Sequence, residues 1–149
     1  MKIVIGSDHA GFALKRTVLD HLAGLGHEVV DVGSYDDGPV DFPDVARRLG
    51  QTLGRGEAER GIMVCGTGVG AAIAANKIKG IRAAVCHDVH SAHQSVEHDD
   101  VNVMCIGAKI VGAWLACDLI TAYLGATFSS DADFRRRVRK LQDMDDAGA

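Results

Sequence analysis

The stretch Gly61-Ile62-Met63-Val64-Cys65-Gly66-Thr67-Gly68-Val69-Gly70-Ala71-Ala72-Ile73-Ala74-Ala75-Asn76 decides how the chain is read. A short apolar run ends in a cysteine, three glycines follow on alternate positions, and a segment of good helix formers comes next. The pattern predicts a buried strand, a tight loop and a helix. Glycine lets the backbone approach a ligand closely and reach positive φ, while a helix start offers unpaired N–H groups and the positive end of a dipole. An anion is therefore expected at the loop, with Cys65 beside it.

Working outward, strands and helices alternate along the whole chain. Lys2 to Ile5 reads as a buried first strand closed by the polar Ser7-Asp8-His9. Leu14, Val18, Leu22 and Leu25 recur at three- and four-residue steps, so a helix is expected over 11–25, stopped by Gly26. A second strand follows over 27–32, then a turn-rich loop over 33–41 and a helix opened by Pro43. Beyond the glycine loop the pattern predicts a strand over 82–86, a short helix over 88–97, a strand over 103–106, a long helix over 109–124 and a last helix from about 133 to 142. This rhythm implies right-handed crossovers and a mainly parallel five-stranded sheet covered on both faces, a three-layer α/β/α sandwich of Rossmann-like type. Ligands bind such sheets outside the carboxyl ends of the strands. That rule gathers Asp8, His9, Cys65 to Gly70, His87 and Asp88 on one rim.

The 149 residues suit one domain, 1–149, with a real core. At 47% hydrophobic and 24% charged the composition is globular, and only the last few residues read as unstructured. A formal charge of -4 and the lack of a basic stripe with interleaved aromatics argue against nucleic acid as a partner. No apolar run is long enough to span a bilayer, and the chain opens on a strand rather than a leader, so a cytoplasmic protein without membrane contact is expected. Cys65, Cys86, Cys105 and Cys117 are widely spaced and read as reduced thiols.

The glycine loop lacks the Gly-Lys-Ser/Thr ending of a P-loop, which argues against a triphosphatase. A relaxed dinucleotide fingerprint fits Gly66, Gly68 and Ala71, with Asp88 at the end of the next strand, but the chain has no room for a separate substrate domain. Cys65 is set apart from the other cysteines by its place between a strand and a helix start, which favours thiolate and suits a nucleophile or general base. The bland alternative is a small buried hydrophobe. The titratable run His87, Asp88, His90, His93, Glu97, His98, Asp99, Asp100 lacks the four-residue histidine spacing of a zinc helix, so no metal is expected and His90 and His93 read as a solvated face. His98, just before the fifth strand, is expected within reach of the rim and suits either a proton donor to a sugar oxygen or a surface histidine.

Taken together, Gly6-Ser7-Asp8-His9-Ala10-Gly11, Asp41-Phe42-Pro43, Cys65-Gly66-Thr67-Gly68-Val69-Gly70, Ala74-Ala75-Asn76-Lys77, Gly80-Ile81-Arg82-Ala83, Ser91-Ala92 and Asn102-Val103 to Gly107 resemble the ribose-5-phosphate isomerase B and galactose-6-phosphate isomerase family over nearly the whole chain. The resemblance implies an aldose–ketose isomerase that needs no cofactor and works through a cis-enediolate. Ribose 5-phosphate is the default substrate. Cys65 is then the base, Thr67 its helper and His98 the acid that opens the sugar ring. Asp8 binds hydroxyls, the amides of Gly66, Gly68, Val69 and Gly70 hold the enediolate, and His9 with the C-terminal arginines holds the phosphate. It also implies a homodimer, or dimer of dimers, with sites at the interface and the last helix reaching a partner subunit.

The chain departs from the family pattern at Asp99, usually Asn, at Lys109, usually Arg, and at Asp133-Phe134, where an Arg-His pair is usual. Arg137 alone aligns cleanly with a clamp arginine, with Arg136 next to it. These changes predict an intact proton-transfer end and a retuned distal end. The substrate is then a different phosphorylated sugar held by His9, Lys109, Arg136 and Arg137, or an unphosphorylated one; a tetrose, a hexose and an apiose-like sugar all fit. The other class of reading is a non-catalytic module that binds a nucleotide or sugar phosphate.

Overall fold

In the computed structural model, which describes residues 1–148, strands β1 (Lys2–Ser7), β2 (Glu28–Asp31), β3 (Arg60–Cys65), β4 (Ala83–Val85) and β5 (Val103–Gly107) form one parallel sheet in the order β2-β1-β3-β5-β4. The connecting helices are α1 (Phe12–Gly24), α2 (Phe42–Gly54), α3 (Val69–Ala75), α4 (Val89–Asp99), α5 (Ala113–Gly125) and α6 (Ala132–Asp146). The expected loose terminus ends at Ala149, which lies outside the described residues.

Strand alternation builds two cores. Ile3, Ile5, Ile62, Val64, Met104 and Ile106 face α1, α4 and α5, while Val4, Met63, Cys65, Val103 and Cys105 face α2 and α3. Right-handed crossovers account for this division. The chain steps one way from β1 to β2 and from β4 to β5, and the other way from β2 to β3 and from β3 to β4, so the two pairs of helices must lie on opposite faces. The direction reverses at β1, and this switch point, outside the carboxyl ends of β1 and β3, is where sheets of this kind take their ligands.

Most expected elements sit within a few residues of their predicted bounds, with two instructive differences. The long helix begins at Ala113 rather than Lys109, because the amides of Ala108 and Lys109 are spent on the carbonyls of Cys65 and Gly66, at 2.7 and 3.0 Å. The last helix extends from 132 to 146 and lies against its own chain. Its far end is tied down by the Gly80 amide, which donates to Asp145, and by a 3.0 Å ion pair of Lys79 with Asp146. Among the described residues no helix is long and apolar enough to cross a membrane.

Candidate active site

Two loops touch at the switch point. A Cβ placed on Gly11 would lie 2.1 Å from the Val64 carbonyl oxygen, so only glycine lets the loop after β1 run this close to β3. The Asp8 amide donates to that same carbonyl across 3.3 Å, and the Asp8 carboxylate accepts from the Gly11 amide at 3.0 Å. Asp8 is thereby fixed and buried at the carboxyl end of β1. His9 is exposed beside it, its Nδ1 accepting from the Val40 amide at 3.2 Å.

Cys65 ends β3 on the face shared with α2 and α3 and is only 4% exposed. Its Sγ accepts from the Gly68 amide at 3.0 Å. Gly68 caps α3 at φ +82, the left-handed region that folds the loop back over the sulfur. The Val69 amide leans towards Thr67 Oγ1 at 3.4 Å. Among the described residues the amides of Gly66, Thr67, Gly70 and Ala71 take no protein acceptor, which leaves them as donors for a ligand oxygen. Within this loop the Gly68 and Val69 amides already have acceptors, Cys65 Sγ and Thr67 Oγ1.

The loop after β5 completes the rim. Lys109 packs its aliphatic stem near Gly66, and a Cβ on Gly107 would fall 2.6 Å from Thr67 Cα. Gly107 is held from the other side, because its amide donates to His87 Nε2 at 2.9 Å. That bond makes His87 the Nδ1-protonated tautomer and a support for the Thr67 loop. Its position at the end of β4 was visible in the sequence, but its partner was not.

His98, Asp99, Arg136 and Arg137 lie elsewhere. A helix that follows a parallel strand runs back along it, so the end of α4 sits beside the strand starts. The contacts agree: the Asn102 carbonyl accepts from Gly61 at the start of β3, at 2.7 Å, and the Ser129 amide, just before α6, donates to the Glu97 carbonyl at 2.9 Å. His98, expected to reach the rim of Cys65, is thus at the opposite end of the sheet within this chain. There its ring stacks on Phe134, centroids 3.9 Å apart with 16° between the planes. The Arg137 guanidinium lies 5.7 Å from the same phenyl ring, while Arg136 is paired with Asp133. That pairing holds the Asp133 carboxyl below its usual range, mainly through the hydrogen bond. Among the described residues no three His, Cys, Asp or Glu side chains converge on a point where an ion could bind.

A doubly wound parallel sheet with a thiol, a carboxylate and open amides at its topological switch point belongs to the α/β class that binds small ligands at that place. The sequence pattern of the family described as Ribose/Galactose Isomerase matches residues 3–141. Ribose-5-phosphate isomerase B of Escherichia coli K12 is 44% identical over 127 residues, 85% of each chain, and D-erythrulose-4-phosphate isomerase 2 of Mycolicibacterium smegmatis is 41% identical over 147 residues, 95% of each. The solved structure of ribose-5-phosphate isomerase B from Clostridium thermocellum superimposes with a TM-score of 0.96 at 42% identity, covering 100% of both chains. The chain belongs to the ribose/galactose isomerase family and is an aldose–ketose isomerase.

Proposed function

We propose that the chain interconverts the aldose and ketose forms of a short sugar phosphate through a cis-enediolate, with Cys65 as the base. The single observation that carries this reading is the Cys65 sulfur, held by its bond to the Gly68 amide in a loop where the amides of Gly66, Thr67 and Gly70 have no protein acceptor among the described residues. Cys65 takes the proton from the carbon beside the carbonyl, the electron pair moves onto the carbonyl oxygen, and the open amides meet the negative charge that develops there. Returning the proton to the neighbouring carbon completes the isomerisation. Thr67 and Asp8 pass and orient the hydroxyl protons. For a cyclic substrate, His98 protonates the ring oxygen as the bond to the anomeric carbon breaks, and the anomeric hydroxyl gives its proton to water.

The two groups of residues occupy opposite ends of one chain, so the complete site takes His98, Asp99, Arg136 and Arg137 from a second copy. Exposed Val69, Ile73, Ile110 and Trp114 around the Cys65 rim supply apolar surface for that contact.

Ribose 5-phosphate is the default substrate. A tetrose phosphate is the second reading, favoured by the Asp133–Arg136 pair, which withdraws one arginine from the phosphate end, and by the relative named for erythrulose 4-phosphate. Turnover of ribose 5-phosphate, erythrose 4-phosphate, a hexose 6-phosphate and free ribose by one preparation tests both. Efficient use of ribose 5-phosphate with weak use of the tetrose overturns the retuned distal end, and no turnover of any sugar overturns the isomerase reading.

A further inference from the structure

We propose that Phe134 is the positioning residue for His98, fixing the plane of its imidazole for proton transfer to a sugar ring oxygen. This rests on the ring-opening role of His98 given above. His98 is the last residue but one of α4, which Asp100 terminates in the left-handed region at φ +49. An imidazole there turns freely about its second side-chain torsion unless something holds it, since that torsion has broad minima. No hydrogen bond among the described residues holds either ring nitrogen. The nearest carboxylate oxygen, Glu97 Oε2, is 3.9 Å from Nε2, beyond hydrogen-bond length, and lies closer to His93 at 3.4 Å.

What does hold the ring is a carbon surface. Phe134 lies nearly parallel to it at 3.9 Å, close enough for full contact of the two faces. Phe134 is itself well anchored. Asp131 caps the first turn of α6 by accepting from the Asp133 amide at 2.8 Å, and the preceding segment is joined to the Glu97 carbonyl, next to His98, through Ser129. A stacked imidazole keeps both nitrogens at its free edge with the plane set, which is the requirement for a proton donor that must meet one lone pair of a substrate oxygen. The same phenyl ring lies 5.7 Å from the Arg137 guanidinium, so one residue sets the spacing between the acid and Arg137.

Erythrose 4-phosphate provides an internal control, because its O4 is esterified and it cannot close a five-membered ring. The test uses full-length F134L, F134Y and H98Q proteins on ribose 5-phosphate and erythrose 4-phosphate, together with proton NMR of the His98 ring. In F134L the ratio of kcat/KM for ribose 5-phosphate over erythrose 4-phosphate falls roughly tenfold to a hundredfold, the scale expected of a misplaced catalytic group. F134Y, which keeps the flat ring, retains the ratio. The His98 ring protons are shifted upfield in the native protein, and F134L removes that shift. An unchanged ratio in F134L, or an unmoved His98 signal, overturns the proposal. A change in the ratio in F134L but none in H98Q overturns the ring-opening reading instead.

Discussion

The Gly68 amide donates to the Cys65 sulfur across 3.0 Å, and Gly68 reaches that position in the left-handed region at φ +82. The whole Cys65 loop turns on this one backbone conformation. Alanine at Gly68 meets two penalties: the positive φ, about 1–2 kcal/mol for a residue with a Cβ, and a Cβ placed 3.3 Å from the Cys105 carbonyl oxygen. G68A should lose about that much stability in urea unfolding. Its kcat should fall well beyond any change in KM, because the sulfur loses its fixed direction.

Gly107 is clamped between Thr67 and His87, and the clamp predicts a stability change separate from the chemistry. H87A leaves the Gly107 amide without its acceptor, at a cost of about 1–3 kcal/mol. Urea unfolding measures it. The Thr67 loop should loosen with it, seen as faster amide exchange at Gly107 and Lys109.

Lys15 is buried to 1% exposure and gives its ammonium to both oxygens of Asp31, at 2.8 and 3.0 Å, and to the Ser34 carbonyl. Removing the cation strands Asp31 and frees the loop from 33 to 41, which carries the Val40 amide that holds His9. K15A should cost about 1–3 kcal/mol, the range for leaving a polar partner unsatisfied, because Asp31 keeps part of its surface in water. K15M, which refills the volume, should cost less and still raise KM for an anionic sugar through the loosened His9. Unfolding curves and kinetics of the two variants check this.

Asp88 caps α4 by accepting from the Ser91 amide at 2.7 Å. That backbone hydrogen bond, and after it one to the Ser91 side chain, holds the Asp88 carboxyl below its usual value. A depressed folded pKa contributes stability that is full above the unfolded value, near pH 4, and fades as pH falls through the folded one. D88A should therefore lower Tm at neutral pH, with the gap to the native protein closing only below about pH 4. A gap that stays constant into that acid range would remove the carboxylate from the capping role.

The sheet, its parallel sense and the Cys65 loop were all legible in the sequence, because each rests on local signals: apolar runs such as Ile62 to Val64, and glycines where the backbone must turn or touch. Ala108 and Lys109 show the limit of that reading. Their composition suits a helix, and they stay in a turn because the carbonyls of Cys65 and Gly66 take their amides. His98 shows another. Its nearness in sequence to β5 suggested the Cys65 rim, yet a crossover helix ends beside the start of the next strand, so topology carried it to the other end. Nothing local announced the stack with Phe134, which joins α4 and α6 across an intervening strand and helix.

The central claim is that Cys65 moves the carbon-bound proton. Isomerisation in deuterated water, followed by NMR at the carbon beside the carbonyl, tests it most directly in native protein and C65A with the best substrate found. Native protein should place deuterium on that carbon, while C65A should bind the sugar with nearly unchanged affinity and show no exchange above the uncatalysed rate. Exchange by C65A at a rate near that of native protein would contradict the account and assign the base to another residue.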